Sequence, residues 1–403
     1  MGLLDFFKRD KPKKTYDGEF YYNQTGNRVN NRPGYVPNDS SVGLNASSEL
    51  YNTSSWVHFG QTNQYPNYFN NLYNSSGLHG AIIDFEQNAI SGAGFELEGI
   101  EALKPMKKVE LEQFMSFFDG TNPLEEVIDA LTMDYLIHGT IYLKVFWNSD
   151  KTRVLKLKRI SPAQVRLGVD QNDKSEINRY FINLDWSQQG NFKTIELPAF
   201  NPLVKDDNRI EVFRFAIPND ALLYNTFPSY IGGIDWINVD SETAQFHKSN
   251  IQNSINPSML IKFAYKPANN EERREIVNKI QGQFTGSRNA GQPMILFGDG
   301  ENTPEVEPVA SSDLDKQFNV TAKVADEKIC MAHKINPIIM GNKTAGSLGN
   351  SQEIAIAAGI YQENVVKPAQ KNIERVINKF LKINGLTVTF RFNEVELITN
   401  KEE

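Results

Sequence analysis

The residues of this 403-residue chain best suited to chemistry lie in HKINPIIMGNKTAGSLGNSQEI, positions 333–354. A lysine among glycines, followed by a threonine, has the composition of a phosphate cradle. There, backbone N–H groups and the ammonium hold phosphate oxygens while the hydroxyl reaches a magnesium ion. That chemistry needs G-x-x-x-x-G-K-[ST] between a strand and a helix. Here Asn342 separates Gly341 from Lys343, Asn336 stands where the first glycine belongs, and the preceding segment has a helical pattern. The nucleotide-hydrolysis reading fails on all three counts.

Other candidates are weaker. His58, His79, His138, His247 and His333 show no ligand spacing such as H-x-x-x-H. His333 falls at the end of a predicted helix just before Pro337, where it is expected to cap or pack. FGDGEN (297–302) opens like a calcium loop, lacks the later glutamate, and reads as a hairpin turn. Asp84 and Glu86 flank Phe85 on one predicted helix, so they face different ways and make a poor carboxylate pair. G-x-S-x-G is absent. The expectation is a chain with no catalytic, cofactor-binding or metal-binding set, and not an enzyme.

The elements that carry these residues follow from periodicity. LHGAIIDFEQNAISG (78–92) predicts a helix through Ile82, Phe85, Ala89 and Ile90, and TNPLEE opens a second whose buried stripe is Leu124, Val127, Ile128, Leu131 and Tyr135. TIYLKVFW and VLKLKRI predict a hairpin, with Ile141, Leu143, Val145 and Trp147 alternating with Thr140, Tyr142, Lys144 and Phe146. RYFINL and EVFRFAI add strands around a polar insert at 185–209. Order is expected from about Tyr65, after an N-terminal arm rich in Asn, Gly, Ser, Tyr and Lys.

Beyond TFPSYIGGIDW, residues 237–254 predict a helix, NPSMLIKFAY a strand, NNEERREIVNKIQGQF a helix and QPMILF a strand. SSDLDKQFNVTAKVADEKICMAHKI is a second long helix, opened by Ser312 and Asp315 in a capping-box pattern and ending at the quoted loop. Strand, helix and strand between two helices read as a small subdomain on a helical stalk. A last helix buries Ile373, Val376, Ile377, Phe380 and Leu381, with Pro368 expected to kink it or start its second half. TVTFRFNEVEL predicts a closing strand. The fold class expected is α+β.

Composition sets limits. Forty-two Lys and Arg against 49 Asp and Glu give a formal charge of −7, which argues against a broad basic surface that grips duplex DNA. It leaves room for a surface that DNA slides past. Cys330 is the single cysteine, so no intrachain disulfide is possible and a reducing compartment is expected. The start is too short and charged for a signal peptide, and no apolar run has membrane length.

The order of motifs resembles the portal proteins of tailed bacteriophages, over about residues 60–385. The pieces are PSYIGGIDWI leading into a helix, NSINPSMLIKF as a helix-to-strand step, EERREIVNKIQGQFTGSRNAGQPMILFGDG, and a long helix running into ICMAHKINPIIMG. SLGNSQEIAI and VVKPAQKNIERVINKFL, with its late-helix Lys-Pro, complete the series. The chain departs from the family pattern where Pro257 follows Asn256 with no glycine between, and in its short C-terminal part.

The resemblance implies a flexible arm at 1–55, a wing at 56–236, stem helices at 237–255 and 311–335, and a clip at 256–310. A tunnel loop would fill 336–351, and a kinked helix with a reduced crown 352–403. It implies a homo-oligomeric ring, usually of twelve copies, in the virion at one capsid vertex, through which double-stranded DNA is packaged and ejected. Its partners would be the major capsid protein, the terminase large subunit as separate ATPase, and a head–tail adaptor, with no membrane. Asn342, Lys343, Thr344, Ser347 and Asn350 would face the DNA, with Lys343 as the loop's only charge, and Arg273 and Arg274 would help the clip dock. Another ring-forming head–tail adaptor, an unrecognised nucleic-acid enzyme and a monomeric scaffold are the alternatives.

Overall fold

The computed structural model describes residues 56–116, 124–253, 260–262, 305–307, 314–341 and 351–393, apart from 61, 171–172, 174–175, 189, 205–208 and 220–221. The expected arm, most of the expected clip and residues 342–350 lie outside the described residues.

Helices α1 (Tyr65–Ser75) and α2 (Gly77–Ser91) share Ser76, which closes the first and caps the second by accepting from His79 N–H at 3.2 Å. Ile82, Ala89 and Ile90 of α2 are buried as predicted, whereas Phe85 is half-buried. Strand β1 (Phe95–Glu98) follows, then α3 (Pro105–Ser116). The sequence gives no clear stripe for α3, because only Leu111 and Phe114 are buried. Helix α4 (Leu124–His138) buries Leu124, Val127, Ile128 and Leu131, with Tyr135 half-buried where its hydroxyl accepts from Asn372.

Gly139, at φ +67°, turns α4 into β2 (Thr140–Trp147), which pairs antiparallel with β3 (Val154–Ile160) in the predicted hairpin. Asn148 Oδ1 accepts from Thr152 N and Arg153 N at 2.8 and 3.0 Å, shaping the turn. On the other side of β2 lies β7 (Ile210–Ala216), giving the order β3-β2-β7. A second sheet, β4-β5-β6, comprises β4 (Val165–Val169), β5 (Ile177–Ile182) and β6 (Ile195–Pro198), the last within the expected polar insert. The first strand departs from prediction: Thr140 and Tyr142 are buried as well as Ile141, Leu143, Val145 and Trp147. The second sheet covers that end of β2, with the Tyr142 and Tyr180 rings 5.9 Å apart. Described order also begins earlier than Tyr65. Val57 N–H donates to Leu167 O at 2.8 Å, and buried Arg166 donates to both oxygens of Asn63 at 2.6 Å.

Helix α5 (Ile234–Asn253) packs against α6 (Leu314–Ala332). The two run antiparallel: Gly233 at the foot of α5 touches Ala332, and further up burial and then the nearby Asp240 push the Asp326 carboxyl up. At the far end β8 (Leu260–Lys262) pairs antiparallel with β9 (Glu305–Glu307), Ile261 opposite Val306. Helix α7 (Ser351–Tyr361) runs through a wide π turn at Gln362–Val366 into α8 (Lys367–Ile383). Pro368 sits in the first turn of α8 directly after the π turn, so the irregularity expected at this proline falls there. Ile373, Val376, Ile377, Phe380 and Leu381 are all buried and join one core with α2, α4 and the β3-β2-β7 sheet. The predicted closing strand is β10 (Thr389–Phe392), paired antiparallel with β1.

Candidate functional site

The segment singled out by the sequence is bounded by α6 on one side and α7 on the other. Helix α6 ends in a Schellman arrangement: Ile335 N–H donates to Cys330 O at 3.0 Å and Lys334 N–H to Met331 O at 3.0 Å, with Lys334 at φ +57°. A lysine holds the left-handed position that glycine usually fills, and Ile335 is buried beneath it. Asn336 then organises a compact turn, its Oδ1 accepting from Ile338 N–H at 3.1 Å and its carbonyl from Ile339 N–H at 2.9 Å. Gly341, at φ +80°, is the last described residue before the gap. Asn342, Lys343, Thr344, Ser347 and Asn350 lie outside the described residues, as do Arg273 and Arg274.

What the structure brings together lies under this segment. His333 is 3% exposed; its ring stacks on Tyr230, with centroids 5.3 Å apart. Its Nδ1 lies 3.2 Å from Glu86 Oε1, and its Nε2 lies 2.9 Å from His79 Nδ1. The Tyr361 hydroxyl donates to the same Glu86 oxygen at 3.0 Å. Burial first, then the neighbouring His333, pushes His79 down to about 3, so its imidazole is neutral at pH 7. Burial and the Glu86 carboxylate push the Tyr361 hydroxyl up, which keeps it a donor. His333 is therefore a packed, hydrogen-bonded histidine, as expected.

A carboxylate, an imidazole and a second imidazole in line are the parts of a proton relay. Glu86, His79, His333 and Tyr361 are each at most 4% exposed, however, so a solute does not reach the rings. Asp84, the other carboxylate weighed with Glu86, is exposed on the opposite face and hydrogen-bonded to Tyr73. The single cysteine, Cys330, is buried next to this cluster, and its thiol is pushed up to about 11 by burial and Asp326, which makes it a poor nucleophile. Among the described residues no group of His, Cys, Asp and Glu could hold a metal ion, and no helix is long and apolar enough to cross a membrane.

Sequence reasoning found His333 but missed its partners. Glu86 and His79 are 247 and 254 positions away and Tyr361 lies beyond the loop, so no local spacing marks them. The one available signal was a glutamate on the inward side of α2, in phase with Ile82, Ala89 and Ile90.

Likeness to known proteins points one way. An uncharacterized protein of Rickettsia bellii is 24% identical over 172 residues, 41% of this chain and 43% of that protein; one from Rickettsia felis is 23% identical over the same length. The chain thus spans under half the length of the curated relatives it matches. Among solved structures, the neck of an empty gene transfer agent particle computed with C6 symmetry matches with a TM-score of 0.54 at 15% identity, over 81% of this chain and 83% of that one. The neck of a native particle computed with C12 symmetry matches with a TM-score of 0.51 at 16% identity, over 82% and 85%. These likenesses show a shared mixed α/β fold. The phage portal protein family's sequence model matches residues 121–403, well over half of the chain, and takes in both stalk helices, the loop between α6 and α7, and α8. The chain belongs to the phage portal protein family.

Proposed function

We propose that the chain is the subunit of a closed ring at one capsid vertex, the channel through which double-stranded DNA is packaged and ejected. The observation that carries this reading is the family match across residues 121–403. The likeness to particle necks computed with C6 and C12 symmetry supports a ring, and twelve copies is the number we adopt. The antiparallel α5–α6 pair, closed at its far end by β8–β9, has the form of a stem carrying a clip.

In this reading residues 56–236 are the wing, 237–255 and 311–335 the stem, 256–310 the clip, and 352–403 the kinked helix and a reduced crown. Residues 336–351 face the channel. Asn342, Lys343, Thr344, Ser347 and Asn350 would touch the DNA backbone without reading bases, since every sequence must pass. Arg273 and Arg274 would help the clip meet the terminase large subunit during packaging and a head–tail adaptor afterwards, while the wing meets the major capsid protein. The chain does no chemistry of its own; the terminase ATPase supplies the energy. Assembly takes place in the host cytoplasm and the product resides in the virion.

The test is native mass spectrometry with negative-stain imaging of the purified protein, alongside ATPase and nuclease assays. Closed rings with a hole wide enough for duplex DNA, and neither activity, are the expected result. Nucleotide or DNA hydrolysis by the pure chain would overturn it.

A further inference from the structure

The two flanks of the undescribed segment 342–350 converge on one atom. His333, just past the end of α6, and Tyr361, at the end of α7, both bond to Glu86 Oε1, at 3.2 and 3.0 Å. Glu86 belongs to α2, remote in sequence from both. The network also continues the other way. His333 Nε2 shares a hydrogen bond with His79 Nδ1, and the backbone N–H of His79 donates to Ser76 Oγ. The Ser76 hydroxyl donates to Asp240 Oδ2 of α5 at 2.6 Å. Four helices, α5, α2, α6 and α7, are thereby joined by one line of polar contacts. Tyr230 braces the middle of the line: its ring lies against both imidazoles, and its hydroxyl donates to Ile137 O of α4 at 2.8 Å.

We infer that Glu86 is a positioning residue that clamps both flanks of segment 342–350 to α2, so that a displacement of one flank is transmitted to the other. The inference rests on the portal reading only in taking that segment as the one that meets DNA. Three physical points support the clamp. A carboxylate oxygen can accept two hydrogen bonds, so a single atom can hold both flanks at once. A buried carboxylate is tolerable only while its bonds to His333 and Tyr361 stay in place. Removing either partner strands a buried polar group, so the arrangement is held together or lost together. His79 Nε2 is a buried atom without a partner, so beyond His333 the line runs on only through the His79 backbone N–H to Ser76 and Asp240.

The test is hydrogen exchange by mass spectrometry on the assembled full-length protein. The amides of Ile335, Ile339, Met340 and Gly341 report one flank, since each donates to a nearby carbonyl. Residues 354–361 of α7 report the other, and β2 serves as control. Tyr361→Phe removes a single hydroxyl and keeps the ring, so it is expected to fold. It should speed exchange on its own helix and also at 335–341, by about tenfold at each flank. His333→Ala should speed 354–361 in return, and Glu86→Ala should speed both. Glu86→Gln, whose amide oxygen can still accept both bonds, should restore most of the protection. If Tyr361→Phe or His333→Ala loosens only its own side, or if Glu86→Gln is as loose as Glu86→Ala, the clamp is overturned. DNA packaging by particles carrying Tyr361→Phe separates the two ideas. Coupled exchange with unchanged packaging and ejection would leave the clamp standing and count against the segment as the DNA contact.

Discussion

The foot of the stalk depends on a glycine, and the reason can be tested by moving one methyl group. Gly233 ends the 3₁₀ turn Ile231–Gly233 that leads into α5, and it is buried against the last turn of α6. A Cβ built there would overlap the Ala332 Cβ, with Ala332 Cα and Lys328 O next at 3.9 Å. The obstruction is thus one methyl group on one neighbour, with room behind it. Gly233→Ala must push α5 and α6 apart or strain the turn, at a cost of about 1–3 kcal/mol for overpacking a tight contact. Ala332→Gly removes the opposing methyl and should cost about 1 kcal/mol through helix propensity. In the double variant the new methyl occupies the space the old one left, so the two changes should not add. A coupling of about 1–2 kcal/mol in favour of the pair is expected. Urea unfolding of the four proteins, followed by tryptophan fluorescence, measures it; Trp236 lies three residues from the site. Additive losses within about 0.5 kcal/mol would refute the contact as the cause.

Gly139→Ala should cost at least about 2 kcal/mol, because φ is +67° and the new Cβ would sit 2.8 Å from Phe227 O, a backbone atom that cannot step aside; the same urea series checks it. Acid should destabilise the fold before carboxylates of ordinary pKa titrate. His79 and His138 are both held down at about 3 by burial, so they contribute stability above pH 6.5 that is lost as pH falls toward 3. Asp134, raised to about 6 by burial despite its bonds to Arg159, works in the opposite sense, gaining as pH falls from about 6 to 3.8. The net expectation is a loss of about 2–3 kcal/mol between pH 7 and pH 5, read from urea midpoints; a flat profile would show that the histidines are not buried neutral. Lys343→Ala should leave rings intact and alter packaging or ejection rate, whereas failure to assemble would make the loop structural.

The sequence was most informative where one face of one element meets the core. The α8 stripe and the β2–β3 hairpin were readable because Ile373 through Leu381 and Ile141 through Trp147 each follow a single period. Prediction failed where burial came from a distant element. Tyr142 alternates with the apolar set of β2, yet the β4-β5-β6 sheet closes over it, and α3 hid because it buries only Leu111 and Phe114. The Glu86 cluster was invisible for a related reason. Its members come from α2, the end of α6 and the end of α7, and hydrogen-bonding partners across such separations leave no periodic trace. The proposed DNA-facing residues follow from the resemblance to the portal family, and they lie outside the described residues.

The same long-range construction bears on where the stalk is held. At the far end of the stalk β8 and β9 meet as an antiparallel pair, Leu260 opposite Glu307 and Lys262 opposite Glu305. Ends that meet can carry insertions of different length at little cost, since closing a longer loop adds only about 0.6 kcal/mol per doubling. The foot of the stalk has no such freedom. Gly233 touches Ala332, Ser76 bonds Asp240, and His333 is bound to α2 within one helical turn of that contact. Directional bonds to a buried carboxylate fix orientation as well as distance, which an apolar contact of equal area would leave looser. The described directional contacts therefore gather at the foot of the stalk, next to the segment proposed to meet DNA.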